Sequence, residues 1–159
     1  MAAVDYFLKL DGIKGESQDK THKDEIQIDS FSWGATNAGT ASHGGGMGAG
    51  KVVMHDFNFV MGVNKASPKL MLACAQGQHI KSAILTCRKA GKDQQEYLKI
   101  TFSDLLISSY QTGGTEIVPT DQISFNFSKI QLDYKEQKAD GTLGGVTSGW
   151  WDGKGNVGG

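Results

Sequence analysis

The chain is dominated by runs in which apolar and polar residues alternate at every second position. The clearest run begins at Val4 and places Tyr6, Leu8 and Leu10 on one side. A period of two is the pattern of a β-strand with one buried face. Further runs of this kind lie at 26–33, 51–60, 83–88, 98–102 and 123–134, and the apolar run at 105–110, with β-branched Ile107, indicates another strand. The alternation therefore predicts a mainly β fold.

The alternation changes phase at two places. The apolar positions shift by one between Ile28 and Phe31, near Asp29-Ser30, and shift again between Phe127 and Ile130. A β-bulge or a sharp bend produces such a shift. Long strands that bend in this way suit a closed or nearly closed barrel, because closure removes exposed strand edges.

One segment departs from this period and predicts a helix. Ser67 fits an N-cap and Pro68 fits the first helical position. Leu70 and Cys74 then recur at helical spacing, and Gly77 fits the left-handed residue that ends a helix. A single helix of about ten residues is marginal alone, so we expect it to pack against the sheet.

Glycine is concentrated in two segments. Of the 22 glycines, seven lie between Gly34 and Gly50 and eight between Gly141 and Gly159. The hydrophobic content of 38% is too high for a disordered chain. The length suits one domain over residues 1–159, with an extended loop at 34–51 and a glycine-rich tail at 140–159. Long loops in compact domains are usually functional.

Charge and targeting signals exclude several classes of partner. Lys and Arg number 16 and Asp and Glu number 17, so no basic excess is present to neutralise the phosphates of a nucleic acid. No apolar run approaches the roughly 20 residues that span a bilayer. The first six residues lack the features of a secretory signal. We therefore expect a protein made in the cytoplasm, with no nucleic-acid partner and no membrane insertion.

The nearest match to a catalytic motif is the glycine segment Gly45–Lys51. It fits G-x-x-x-x-G-K, the first part of a phosphate-binding loop. Val52 stands where the motif needs a hydroxyl for Mg²⁺, and the residues after it alternate like a strand rather than a helix. A flexible glycine loop is therefore the favoured interpretation.

Histidine and cysteine residues give no stronger site. His22 and Glu25 lie three residues apart, but metal binding needs three or four converging ligands. Cys74 and His79 offer a nucleophile and a base, yet Cys74 shares a helical face with Leu70, which favours burial. The sequence therefore predicts no enzyme, no cofactor and no metal, and favours a binding or structural role.

Two features favour assembly with other chains. The glycine loop has no bulky side chains to fold on itself, so it could become ordered against a neighbour. Trp150 and Trp151 are adjacent in a tail with few other apolar residues, so at least one could cover the barrel or contact another subunit. The alternative is a frayed terminus with partly exposed indoles.

A series of short motifs runs along nearly the whole chain. They are Val4–Leu10, Ile13–Ser17, Asp19, His22, Glu25-Ile26, Ser32–Gly34, Gly50–Val52, Asn64–Leu70, Ala73–Gly77, Arg88–Gly91, Glu96–Leu98 and Asp133-Tyr134. No single motif is specific, but in their order and spacing they resemble the Hcp family, the tube proteins of bacterial type VI secretion systems.

The resemblance implies a two-sheet β-barrel with one short flanking α-helix. It also implies a homohexameric ring, which stacks into a hollow tube inside a contractile sheath and carries or chaperones effectors in its lumen. The implied partners are other copies of the chain, the VgrG spike, sheath and baseplate proteins, and secreted effectors. Secretion through the type VI apparatus would need no signal peptide.

On this hypothesis two groups of residues carry the function. An assembly loop would contact neighbouring protomers or rings, because glycine permits positive φ angles and close approach of backbones. Its residues are Gly44, Gly45, Gly46, Met47, Gly48, Ala49, Gly50 and Lys51. The polar positions Gln27, Ser30 and Ser32 would face the lumen. Two other hypotheses remain open, an enzyme with a phosphate site at 45–51 and a monomeric β-barrel carrier or adhesin-like module.

Overall fold

The computed structural model describes residues 4–38, 51–89, 94–115 and 117–159. Its fold is mainly β with one α-helix in these residues, in agreement with the alternation. In chain order the elements are β1 Val4–Leu10, β2 Ile26–Ile28, β3 Ser30–Ser32, β4 Ala35–Asn37, β5 Val52–Met54, β6 Phe57–Gly62, α1 Ala66–Gln76, β7 His79–Lys89, β8 Glu96–Gly113, β9 Thr120–Gln137, β10 Leu143–Asp152 and β11 Val157–Gly158.

Nine of these strands form one antiparallel sheet. Its order is β11-β10-β9-β8-β7-β1-β2, with β3 paired to β6 and β6 paired to β9. Strands β4 and β5 form a separate two-stranded sheet. Both sheets are open in the residues described, since the path of the large sheet ends at β2 on one side and at β11 on the other. The expected closed two-sheet barrel is therefore not confirmed.

The first phase change in the sequence is a change of partner strand at Asp29. Ile28, at the end of β2, pairs with β1, whereas Ser30, at the start of β3, pairs with Val60 of β6. Between them the Asp29 N–H donates a hydrogen bond of 2.8 Å to the Val60 carbonyl. The chain thus bends from one partner to the other, and Ile28 and Phe31 both pack in the core.

The second phase change is a bend shared by the two long strands β8 and β9. In β8 the buried positions shift from Phe102 to Leu105, and Asp104 between them has a positive φ of 56°. In β9 they shift from Phe125 to Ile130. Pairing continues on both sides of the bend. The runs at 98–102 and 105–110, predicted as two strands, therefore belong to one.

The run at 51–60, predicted as one strand, is divided into β5 and β6. Val53 is exposed and Phe57 is fully buried, so the two parts do not share one buried face. The break falls opposite the interval between β3 and β4, where the His55 N–H donates a 2.8 Å hydrogen bond to the Gly34 carbonyl. Both strands of this hairpin are therefore interrupted at the same level.

Helix α1 begins one residue before the predicted N-cap. Ser67 lies inside its first turn, and the Ala66 N–H donates to the Asn64 side-chain oxygen at 2.8 Å. The N-cap residue is Lys65, which makes no side-chain capping hydrogen bond, and the Ser67 hydroxyl donates to the buried carboxylate of Asp121. The predicted end is confirmed, since Gly77 is left-handed with φ 60° and ψ 40°.

The core is organised around Phe57, which is fully buried in β6. Its ring centroid lies 4.9 Å from that of Phe102, 5.0 Å from that of Phe125 and 5.7 Å from that of Phe31. These distances are in the range of favourable aromatic pairs. Strands β3, β6, β8 and β9 are therefore joined through one aromatic cluster.

A long segment between β1 and β2 is held against the sheet by buried polar contacts. Arg88 of β7 is only 4% exposed and donates two hydrogen bonds to Asp19, at 2.8 and 3.0 Å. It donates a third, at 3.2 Å, to Asp5. The guanidinium also lies 4.8 Å from the centre of the Phe7 ring. These contacts fix residues 14–25 over the outer side of β1.

A buried histidine makes the second attachment of this segment. The two ring nitrogens of His22 lie 3.0 Å from the Glu25 carboxylate and 3.1 Å from that of Glu96. Its ring stacks on Phe7 with centroids 4.4 Å apart. Because Gly15 has no side chain, the backbone at Glu25 can pass close to it; a Cβ at Gly15 would lie 2.5 Å from the Glu25 carbonyl oxygen. The segment is thus a packed part of the fold.

We expect Asp19→Asn to lower the free energy of unfolding by about 3 kcal/mol at pH 7, because it removes a partner of a buried guanidinium. The hydrogen bonds from Arg88 hold the pKa of Asp19 well below its usual range. A lowered folded-state pKa stabilises the protein above the unfolded value of about 3.9, and this contribution is lost as the pH falls further. Urea unfolding from pH 7 to pH 3 measures both effects.

The matched control for this prediction is Asp11→Asn, which changes an exposed carboxylate. It should alter the free energy of unfolding by no more than about 0.5 kcal/mol. The difference between wild type and Asp19→Asn should stay constant above about pH 5 and shrink below about pH 4. A difference that grows on acidification would contradict the role given to Asp19.

Candidate functional site

Strands β3, β6 and β9 and the last part of β8 expose a surface without charged side chains. Along it Ser30 pairs with Val60, Val60 with Gln122, and Gln122 with Gln111. A groove of about 290 Å³ lies on this surface. We call its polar lining residues the polar face, and they are Ser30, Ser32, Asn58, Ser109, Gln111 and Gln122. The intervening side chains of Phe31, Phe59 and Ile123 pack in the core.

Two of the three residues predicted to face a lumen lie on the polar face. Ser30 and Ser32 are exposed on either side of Phe31. Gln27 is also exposed, but it pairs with Phe7 of β1 and lines a different groove of about 650 Å³. The structure thus brings Ser30 and Ser32 together and places Gln27 on another surface. That all three face a lumen stays a prediction.

A buried carboxylate anchors the strands beneath one end of the polar face. Asp121 of β9 is fully buried and accepts hydrogen bonds from the hydroxyls of Tyr110 and Thr112, at 2.9 and 2.7 Å. Its other oxygen accepts a 2.5 Å hydrogen bond from Ser67 of α1. Buried charges need such partners, and here three hydroxyls supply them. The helix is therefore fixed to the β8–β9 hairpin by a side-chain contact.

Most of the predicted assembly loop lies outside the described residues. Gly44, Gly45, Gly46, Met47, Gly48, Ala49 and Gly50 belong to this undescribed part, and Lys51 is described and exposed. The adjoining strands β4 and β5 pair Ala35 with Met54 and Asn37 with Val52. We call this two-stranded sheet the arm. All three residues of β4 are exposed.

The glycine-rich tail contains strands that the sequence analysis does not predict. Strand β10 pairs with β9, with a register irregularity between Leu143 and Val146. Strand β11 pairs with the last two residues of β10. Trp151 packs against the core, whereas Trp150 is 36% exposed and its ring lies 4.8 Å from the Lys129 ammonium. The alternative of a frayed terminus is therefore wrong. Glycines interrupt the apolar alternation of β10, which removes the signal that identifies the other strands.

Comparisons with known proteins agree with this architecture. A family model described as "Type VI secretion system effector, Hcp" matches residues 7–134. Protein hcp1 of Pseudomonas aeruginosa is 46% identical over an alignment of 153 residues that covers 93% of this chain and 94% of that protein. The chain belongs to the Hcp family. Two solved structures extend the likeness to the fold.

Hcp1 from Salmonella typhimurium is 34% identical to this Hcp-family chain and has a TM-score of 0.82, with 99% of each chain covered. A second structure, described as a type six secretion system protein, has a TM-score of 0.92 at 30% identity. It covers 99% of this chain and 100% of its own. The overall fold is therefore that of type VI secretion Hcp proteins.

The catalytic candidates of this Hcp-family chain do not form sites in the residues described. Val52 begins strand β5, as expected, so no helix follows the glycine segment to receive a phosphate. The imidazole of His79 contacts Asp104 at 2.9 Å and makes no hydrogen bond to Cys74. Within these residues, no group of three potential metal ligands occurs and no helix is long and apolar enough to cross a membrane.

We expect the two thiols to differ in reactivity. Both cysteines are free, but Cys87 is buried in β7 and burial raises the pKa of its thiol to about 12. A thiol with so high a pKa is almost wholly protonated at pH 8 and does not react as a nucleophile. In the folded protein a chromogenic disulfide reagent should modify at most one thiol, that of half-buried Cys74, and both after unfolding in guanidinium chloride.

The variant Cys74→Ser is the control for this assignment. It should show no reactive thiol while folded and one after unfolding. Rapid modification of two thiols in the folded wild type would show that Cys87 is accessible and contradict its placement.

Proposed function

We propose that this Hcp-family chain is the structural subunit of a type VI secretion tube and has no catalytic role. The observation that carries the proposal is that two strand edges, one on each side of the polar face, have no partner strand in the described residues. Among these residues β3 pairs only with β6, and the pairing of β7 with β8 ends at Leu106. Within the described residues, β8 beyond Leu106 therefore pairs only with β9.

Two free edges on one sheet suit a closed ring. Exposed edges present backbone groups that pair readily with another chain. A ring requires that one surface of each subunit meets a different surface of the next. If β3 of one copy pairs with β8 of its neighbour, the sheet continues around the ring and six copies form a homohexamer. The polar face would then line a continuous inner wall.

The proposal includes closure of the large sheet within each protomer. Only Asp29 separates β2, which pairs with β1, from β3, which pairs with β6. The hydrogen bond from Asp29 to Val60 supports continuity at this bend. On this basis the 159 residues form a single domain whose strands close into a two-sheet barrel, with β10 and β11 extending beyond it.

The arm and the adjoining assembly loop are the proposed contacts between protomers or between stacked rings. A two-stranded sheet alone is at best marginally stable in water. The exposed β4–β5 sheet would therefore gain from burial against a second copy. Residues Gly44–Lys51, in the chain segment that connects β4 to β5, would contribute the closest approach of backbones.

Within the tube, Gln27, Ser30 and Ser32 are the proposed lumen-facing residues, and secreted effectors are the proposed cargo. The further partners are the VgrG spike and the sheath and baseplate proteins. The chain would be made in the cytoplasm and leave through the type VI apparatus without a signal peptide. Its membership of the Hcp family makes the chain a type VI secretion protein.

Light scattering on the purified protein tests the ring. We expect a mass near six times 17.0 kDa, the mass of one chain. A monomer that persists at high concentration would contradict the tube function and favour a monomeric carrier. Electron microscopy of the same sample should show annular particles with a central opening.

Bulky replacements in the assembly loop test the proposed stacking of rings. In Gly46→Trp combined with Gly48→Trp, we expect impaired stacking of rings and an unchanged circular dichroism spectrum, because the loop would contact other copies and not the core. A variant that fails to fold would show instead that the loop is part of the core.

Labelling of single cysteines tests the lumen assignment. In assembled tubes of a chain that also carries Cys74→Ser, Ser32→Cys should react several-fold more slowly with a bulky polyethylene-glycol maleimide than with a small maleimide, because access to a lumen is restricted. Lys69→Cys, on the exposed side of α1, should react with both reagents at similar rates. Equal restriction at both positions would contradict the assignment, and Gln27→Cys and Ser30→Cys would decide those residues in the same way.

A further inference from the structure

Three serines and one carboxylate form a connected group at the margin of the polar face. The Ser108 hydroxyl donates a 2.6 Å hydrogen bond to Asp56 Oδ2. The Oγ atoms of Ser108 and Ser109 lie 2.8 and 2.6 Å from that of Ser124. We call Asp56, Ser108, Ser109 and Ser124 the serine cluster.

A β-bulge produces this arrangement. Ile107 of β8 pairs with Phe125 of β9, but Ser109, two residues later, pairs with Ser124, only one residue away from Phe125. In a regular strand successive side chains point to opposite faces, so two adjacent serines could not contact one partner. The extra residue at Ser108 lets both hydroxyls reach Ser124. Bulges commonly re-aim side chains at functional surfaces.

The carboxylate of this cluster lacks a cationic partner. Among the described residues, Asp56 forms no ion pair, and none of their groups donates a hydrogen bond to its second oxygen, Oδ1. Asp56 is half-buried, and the groove of the polar face has no charged lining residue. A single carboxylate therefore lies beside an uncharged surface, and no cation of the described residues pairs with it.

We propose that the serine cluster is a binding site for an ammonium or guanidinium group presented by a cargo protein. An ammonium has three donors and no acceptor, and a guanidinium has five donors and no acceptor. The cluster offers complementary acceptors, the free oxygen of Asp56 and the lone pairs of the serine hydroxyls. A hydrogen bond between ions is shorter and stronger than one between neutral groups. The identification of the ligand as cargo rests on the proposed tube function.

Two capped pentapeptides test the site, one with a central lysine and one with glutamine in its place and glycine elsewhere. At low ionic strength the lysine peptide should shift the backbone amide signals of Asp56, Ser108, Ser109 and Ser124 in a nitrogen-15 NMR titration. The glutamine peptide should leave them unchanged. In Asp56→Asn the lysine peptide should bind at least about five-fold more weakly, because the charge-assisted contact is lost.

The matched control is Asp11→Asn, which removes an exposed carboxylate that lies outside the polar face, and it should bind the lysine peptide like wild type. Equal shifts with both peptides, or an affinity unchanged in Asp56→Asn, would overturn the proposal. Light scattering on the same samples measures the mass of the particle and so shows, independently of peptide binding, whether the ring has formed. A ring that does not bind the peptide overturns this inference alone, whereas a monomer that binds it supports the cation site and contradicts the tube function.

Discussion

The structure depends on the change of strand partner at Asp29. Ile28 and Ser30 are separated by one residue, yet they belong to strands that pair with β1 and β6. Because side chains alternate along a strand, the bend resets which positions are buried, and it leaves both Ile28 and Phe31 in the core. Without this reset, Ser30 and Ser32 would be directed inward. The exposure of the polar face therefore depends on the bend of the backbone at a single residue, Asp29.

A second constraint comes from polar groups that are buried in the structure rather than from apolar packing. Arg88 with Asp19, and Asp121 with its three hydroxyl donors, hold the long segment before β2 and the helix α1 to the sheet. Buried charges cost desolvation energy, so they stabilise this arrangement only while each partner is in place. These contacts are consequently sensitive to position in a way that apolar packing is not. They fix how the surfaces around the sheet are oriented relative to one another.

Much of this fold is predictable from the sequence, and the exceptions have physical causes. Alternation identifies most of the strands that contribute to the core, and its phase changes locate the bend near Asp29 and the bend of β9 between Phe127 and Ile130. Alternation does not reveal β10, because the glycines there have no side chains. It also misses the break at His55, because the apolar positions Val53 and Phe57 keep the same alternation across the break. Ser67 is mistaken for the N-cap because its true partner, Asp121, lies 54 residues away. The serine cluster is hidden for the same reason, since only the paired register brings Asp56 to Ser108.

The absence of charged residues from the polar face has consequences in the proposed ring. Six-fold repetition multiplies every charge on the inner wall by six, so even one lysine per chain would create a ring of cations. Charges that lie closer together than the screening length, about 8 Å at physiological salt, reinforce one another. A strongly charged wall would retain oppositely charged cargo and exclude the rest. A wall of hydroxyl and amide groups binds weakly and releases readily, and the Asp56 carboxylate at its margin would then give cargo a single point of electrostatic attachment per subunit.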